Sequence, residues 1–354
     1  MQIVTSLDRD LWKKFVDENP QGNIFQTPEM YDVFSRAKGH RPSIWAAVEG
    51  NDRVLALLLP VEIVLFNPLR WLSSRSVVYG GALCEPSQEG REGLSQLLEY
   101  YKRKAGGCNL FTELRNVSDA TYMQPVFCKS EFHYEDHLNY LIDLDRAPED
   151  ILKSISNRTR KHISRGLRKG LLKVDVIRDR GQLEECYNLL KKTYRQARIP
   201  IAPKSLFEAA FDVLSPNGMV KFLLACVEGV PVAASIELLY KDVIYGWYSG
   251  MDRSYTSHTP NELLMWHILS WGAENGYRLY DFGGAGRPNE KYGVRDFKAK
   301  FNGQLVNYGR NTVIHAPVRM KLSKFAYQVV RNSKLVREIL TYRPTPEPNP
   351  AESQ

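Results

Sequence analysis

The chain lacks most of the devices by which a sequence announces covalent or metal-dependent chemistry. Its five cysteines (Cys84, Cys108, Cys128, Cys186 and Cys226) form no C-x-x-C pair and are odd in number, which argues against a disulfide framework and fits reduced, mostly buried thiols. There is no G-x-S-x-G elbow and no Cys-His arrangement, so an enzyme nucleophile is not indicated. His133 and His137 stand four apart, but with aromatic neighbours they read as strand or loop as readily as a helical ligand pair, and no metal is expected. Long apolar runs are missing too. Met1 to Phe15 holds nothing of signal-peptide length, and no later window reaches the roughly 18 apolar residues of a membrane span. The expectation is a cytoplasmic protein, either free or resting on the inner face of the membrane.

One absence is local and more informative. Between Lys153 and Lys173 there is no Asp or Glu, while eight Lys or Arg residues fall in that window, equal to the net charge of +8 for the whole chain. A field concentrated in this way attracts polyanions such as nucleotides, lipid pyrophosphates or nucleic acid. Elsewhere the composition is ordinary for a globular protein, with 43% hydrophobic residues. That is enough to pack cores, and 354 residues suit two domains better than one.

A weak internal repeat supports the two-domain reading. Ala47-Val48-Glu49-Gly50 followed by Val54-Leu55-Ala56 resembles Cys226-Val227-Glu228-Gly229 followed by Val232-Ala233-Ala234. Each copy is an apolar run, a Glu-Gly turn and a second apolar run, the pattern of a β-hairpin. Helical segments precede both copies, around Glu29 to Ala37 and Leu183 to Arg195. In the second half Val220 to Val227, Pro231 to Tyr240 and Val243 to Gly250 read as strands, Asn261 to Asn275 as a helix and Tyr277 to Phe282 as a strand. Thr259-Pro260-Asn261-Glu262 has the form of a capping box with proline at the first helical position, and Gly276 ends the helix. In the first half the equivalents are a helix over Gly90 to Gly106 and a strand over Asn109 to Leu114.

From Ile151 a single helix to about residue 170 is expected, with Ile151, Ile155, Ile163 and Leu167 on its packing face and Arg158, Lys161, Arg165 and Arg168 on a cationic one. The boundary between domains is then 150, with a second domain over 151–317. An amphipathic basic helix follows over 318–342, its Val318 to Leu340 stretch reading first as packed on the domain and alternatively as resting on anionic lipid, and a disordered tail over 343–354.

Tyr280-Asp281-Phe282-Gly283-Gly284-Ala285-Gly286 closes a strand on a glycine loop, where Gly283 and Gly284 would let backbone approach a ligand. It is not a dinucleotide fingerprint, since Arg287-Pro288-Asn289-Glu290 interrupts any following helix. Tyr292 to Gly303 then reads as a strand-like segment mixing aromatics and cations, with a solvated edge strand as the competing reading.

These residues carry a resemblance. The run Tyr277 to Gly303, the second hairpin, the Leu263 to Gly276 helix, the basic segment Asn157-Arg158-Thr159-Arg160-Lys161-His162-Ile163 and the opening Asn23-Ile24-Phe25-Gln26-Thr27-Pro28-Glu29-Met30 together resemble the FemAB family of aminoacyl-tRNA-dependent peptidyltransferases. The resemblance implies an α/β fold of two tandem acetyltransferase-like (GNAT-like) domains with mixed sheets flanked by helices. It also implies an enzyme moving an amino acid from aminoacyl-tRNA to an amine of a nucleotide- or lipid-linked cell-envelope precursor, with no resident cofactor. Polysaccharide-cluster relatives share these motifs and leave acyl-CoA open as the donor.

On that analogy Lys298 is the expected catalytic lysine, stabilising the oxyanion as an amine attacks an ester. Asp281 or Glu113 would accept the amine proton. Arg158, Arg160, Lys161, Arg195, Arg198, Gly283, Gly284, Tyr292 and Phe297 are the expected substrate-binding residues. No coiled-coil arm is expected, because no heptad pattern is sustained.

Overall fold

The computed structural model describes residues 1–332 apart from positions 51, 65–69, 106, 108, 171 and 198. Arg198, the last part of the 318–342 helix and the 343–354 tail therefore lie outside the described residues.

Both halves are built on the same order: a helix, an antiparallel hairpin, then two parallel strands joined by a crossover helix. In the first half, helix Pro28–Arg36 precedes the hairpin Trp45–Glu49/Arg53–Leu58, and helix Gln88–Ala105 links the parallel strands Ser74–Tyr79 and Phe111–Arg115. In the second, helix Arg180–Ala197 precedes the hairpin Val220–Val227/Val230–Tyr240, and helix Pro260–Glu274 links the parallel strands Val243–Met251 and Leu279–Gly284. The Glu-Gly repeat thus marks a true structural duplication. Each Glu-Gly turn places its glycine at positive φ, +63° at Gly50 and +80° at Gly229, where a side chain would be strained.

Among the described residues the strands form a four-stranded and a six-stranded sheet in the first half and a seven-stranded sheet in the second. The boundary expected at 150 does not follow these sheets. Leu138–Asp143, from before it, pairs with Leu279–Gly284 in the second half's sheet, and Arg310–Ile314, from the far end of the chain, pairs with Phe111–Arg115 in the first half's sheet. Each half therefore borrows the strand beside its last parallel strand from the other. Helix packing at the seam is apolar as well. Met30, Val33 and Phe34 share one buried cluster with Leu206, Phe207 and Ala210, so the halves are fused through a common core.

Three local expectations are corrected. The segment from Ile151 is two helices, Pro148–Ser154 and Asn157–Lys169, because Ile155 is extended and the Ser156 N–H donates to the Lys300 carbonyl, leaving Ser156 to start the second helix. Its packing face is Thr159, Ile163 and Gly166, while Leu167 is 54% exposed; a Cβ at Gly166 would lie 2.7 Å from the Leu263 side chain, so this helix sits tightly on helix Pro260–Glu274. Tyr292 to Gly303 is not strand-like but carries helix Gly293–Ala299. The four-residue spacing of Phe297 and Phe301, whose ring centroids lie 5.4 Å apart, is the helical signal. Thr259 makes no capping bond, since it adopts φ +50° as the last residue of a preceding turn. The far end of that helix follows the sequence: Gly276 at φ +78° lets Tyr277 N bond Gly272 O and Gly276 N bond Ala273 O, a Schellman closure.

Candidate active site

Strands Val243–Met251 and Leu279–Gly284 pair only from Val243 to Tyr245 and from Leu279 to Asp281, then part. A bulge at Trp247, which leaves Gly246 opposite Glu237 and Tyr248 opposite Ile236, turns the first strand further aside. The opening lies where the seam between the halves runs, and the expected loop Asp281 to Gly284 forms one wall of it.

Lys298 belongs to this wall but not in the role expected of it. It is 7% exposed, and its ammonium donates to three carbonyls, Phe282 O at 2.6 Å, Gly283 O at 3.1 Å and Gly284 O at 2.8 Å. An ammonium has three protons, so none is left for a substrate oxyanion. Lys298 is a clamp on the strand end. Burial lowers its pKa to about 8, and the Asp281 carboxylate opposes the fall.

Asp281 is buried beside it, accepting from Gly283 N at 2.7 Å and from Asn139 Nδ2 at 3.3 Å. Burial raises its pKa to about 6, while the Gly283 bond, Lys298 and Asn139 pull the other way. Its Oδ1 thus ties the glycine turn, where Gly283 sits at φ +68°, to the strand borrowed from the first half. Tyr245 packs over this turn; a Cβ on Gly283 would lie 3.1 Å from its hydroxyl oxygen. Burial, aided by the charge of Asp281, pushes the Tyr245 phenol well above its ordinary pKa.

The opposite wall comes from the first half. Glu113 is gripped by two guanidinium groups: Arg115 donates from Nε, and Arg310 from Nη1 at 3.3 Å to both carboxylate oxygens. Burial works to raise the Glu113 pKa, but Arg115 and Arg310 outweigh it and hold the carboxyl below its ordinary value. Glu113 is therefore a structural anion, a poor proton acceptor. Arg310 also reaches His137, with Nη2 to Nε2 at 2.8 Å. Burial and that cation press His137 down to about 4, so the ring is neutral and accepts through Nε2. A Cβ on Gly284 would lie 2.8 Å from the same nitrogen, which places the glycine turn directly against this cluster.

Aromatic rings complete the floor. Arg115 lies 5.3 Å over the Tyr79 ring. Tyr79 in turn stacks on Phe25 and Phe34, and Phe25 meets Tyr245 edge-on at 5.1 Å. The opening motif now has a physical function. Asn23 and Gln26 side chains donate to Gly80 O at 3.1 and 3.2 Å, and Gln26 also to Gly81 O, fixing the left-handed turn of Gly80 and Gly81 at φ +77° and +76° that follows Tyr79.

Of the other expected residues, Tyr292 packs against Gly286, where a Cβ would lie 3.0 Å from its ring, and Phe297 faces Phe301 and Lys300. Arg195 is exposed near the end of helix Arg180–Ala197, next to Tyr194, whose ring lies 5.8 Å from that of Tyr248. Arg158, Arg160 and Lys161 are not at the seam. Their helix packs on the second half's own core, with Arg160 bonded to Lys153 O and Arg158 and Lys161 exposed. Among the described residues no acid pairs with Arg158, Lys161, Arg165 or Lys169. The sequence does not point to Arg115, Arg310, Tyr79 and Tyr245, and it offers His137 only as half of a metal pair. Glu113 and Arg115 share a strand face two residues apart, a signal that links them; Arg310 reaches them only through strand exchange.

No group of three or more His, Cys, Asp or Glu side chains able to hold a metal occurs among the described residues, and no helix among them is long and apolar enough to cross a membrane.

Residues 153–298 match a family model described as an acetyltransferase (GNAT) domain. The fold is similar to that of FemX, with a TM-score of 0.70 at 15% identity over 94% of this chain and 100% of that one. It is also similar to L-PGS from Bacillus licheniformis (TM-score 0.55, 14% identity, 92% and 98% covered) and to a tandem GNAT protein from the clavulanic acid biosynthesis pathway (TM-score 0.56, 10% identity, 89% and 98% covered). No curated protein sequence gives a significant match. The tandem GNAT-type architecture with mixed sheets is thus established, and its second half carries an acyltransferase-type domain.

Proposed function

We propose that the chain forms an amide bond by moving an amino acid from aminoacyl-tRNA to an amine of a nucleotide- or lipid-linked cell-envelope precursor. The observation that carries this reading is the start of helix Pro260–Glu274. A helix N-terminus receives a pyrophosphate through free N–H groups and its positive dipole end. Here the first position is a proline with no N–H, and the first turn carries Glu262, paired with Lys300 at 3.2 Å. A pyrophosphate of coenzyme A is poorly served at that end.

A large polyanionic donor has a better place. Helix Asn157–Lys169 starts beside Lys300, two residues beyond Lys298, and leads a row of exposed cations away over about 20 Å of helix. In the reaction the acceptor amine forms the C–N bond as the ester C–O bond breaks, and the ribose oxygen leaves with the proton that the amine sheds. Lys298 and Asp281 act as positioning residues that hold the glycine turn. Arg115, Arg310, His137, Tyr79 and Tyr245, gathered beside the parted strands, are the residues this reading assigns to the acceptor.

A second reading, acyl-CoA-dependent N-acylation of an amino sugar or peptide, is favoured by the parted strands and by the acetyltransferase domain match. Incubation with radiolabelled aminoacyl-tRNAs and separately with acetyl-CoA, each with pooled nucleotide- and lipid-linked precursors, separates the two. Label arriving from tRNA alone is the expected result; label from CoA alone replaces the first reading with the second.

A further inference from the structure

The first turns of helix Pro317–Asn332, as far as Phe325, present their apolar residues the wrong way round for a helix that only packs. Arg319, Met320 and Ser323 are half-buried against the body, while Val318, Leu322 and Phe325 are 72%, 50% and 67% exposed. Spaced by four and three residues, these three lie within one narrow stripe of the helix surface. The short helix Arg70–Ser73 lies against this helix, and its Trp71 is 49% exposed, adding a wide aromatic ring. Large apolar side chains gathered outward in this way mark a surface that meets something apolar.

The charges beside the stripe say what that is. Lys321 is exposed next to it. From Pro317 to Leu340 the sequence holds Arg319, Lys321, Lys324, Arg331, Lys334 and Arg337 against a single acid, Glu338. An apolar stripe beside an exposed lysine, on a segment whose sequence is strongly basic and with a tryptophan at its side, is the make-up of a helix lying in the interface of an anionic bilayer. We infer that helix Pro317–Asn332, with Trp71, seats this protein on an anionic phospholipid surface.

The stripe and the cleft are at opposite ends of the first half's parallel strands. Helix Pro317–Asn332 follows Ile314, which pairs with Phe111, whereas Arg310 pairs with Arg115 at the cleft end. Seating on lipid therefore leaves the cleft uncovered.

The test is co-sedimentation of the full chain with large vesicles of phosphatidylcholine, with and without roughly one-third phosphatidylglycerol. It measures binding and does not depend on any donor or acceptor. The wild type should partition to the anionic vesicles at low salt and be released at high salt. The double variant Leu322→Asn, Phe325→Asn should lose at least about tenfold in partitioning with an unchanged melting temperature, because both side chains are already exposed. Equal partitioning of wild type and variant, or no binding at low salt, overturns the inference. So does sedimentation velocity showing a dimer that the same variant dissociates, since a second copy would then be the occupant.

Discussion

The ammonium of Lys298 lies 2.6 Å from the carbonyl oxygen of Phe282, one of three backbone carbonyls it holds at the end of a strand facing the seam between the halves. A buried cation satisfied in this way shapes the backbone around it. Its removal should be felt first in the fold. Lys298→Met leaves three inward carbonyls without their donor and removes a cation near the buried Asp281 carboxyl, and should cost about 2–4 kcal/mol in denaturant melts. Transfer should fall with it. Lys298→Arg should restore neither, because a planar guanidinium does not match three carbonyls converging on one nitrogen. Wild-type stability in Lys298→Met, with transfer abolished, would instead return Lys298 to an oxyanion role.

Glu237 gives a prediction in pH. It is buried, with the Tyr280 hydroxyl donating to it at 3.1 Å, and burial raises its pKa to about 8. The folded state then keeps a proton that the unfolded chain loses above the ordinary carboxylate range. Stability contributed by the protonated group is whole below the unfolded pKa and is lost as pH rises through the folded value. The loss runs at up to roughly 1.4 kcal/mol per pH unit. Glu237→Gln keeps an acceptor for Tyr280 and cannot ionise, so urea melts taken from the ordinary carboxylate range up to about pH 8 should lose that downward slope.

Asn23→Ala tests the buttress beneath Tyr79. The side chain accepts from Phe25 N and donates to Gly80 O, so its loss should cost about 1–2 kcal/mol. Because that turn sets the Tyr79 ring on which Arg115 rests, transfer should fall more than stability alone explains. Melts and initial rates taken on one preparation check both.

Replacing Arg158, Lys161 and Arg165 by Gln touches exposed side chains without acid partners, so stability should stay within about 0.5 kcal/mol. Binding of aminoacyl-tRNA should weaken, and the slope of its affinity against salt should flatten in proportion to the number of phosphates these cations neutralise. Filter binding over a salt series reads this. An unchanged slope returns the stripe to a solvated helix face.

Much of the second half is legible residue by residue. The hairpin with its Glu-Gly turn, the crossover helix closed at Gly276 and the strand ending in Asp281 to Gly284 follow from local turn chemistry and apolar period, which neighbouring residues decide among themselves. Legibility fails where a local signal has a rival. Ser156 as a helix start is masked by an isoleucine spacing that runs across it, and the helical spacing of Phe297 and Phe301 competes with an apparent strand alternation.

The sequence by itself determined the duplicated α/β plan, the concentration of charge between Lys153 and Lys173, and the presence of a glycine turn followed by Lys298, because all of these are properties of contiguous residues. Only the tertiary structure decided that Lys298 spends its protons on backbone, that the basic helix lies outside the seam, and that Arg310 joins His137 and Glu113 across it. Those outcomes depend on which strand lies beside which, and strand exchange between the halves brings together residues whose separation along the chain carries no local trace.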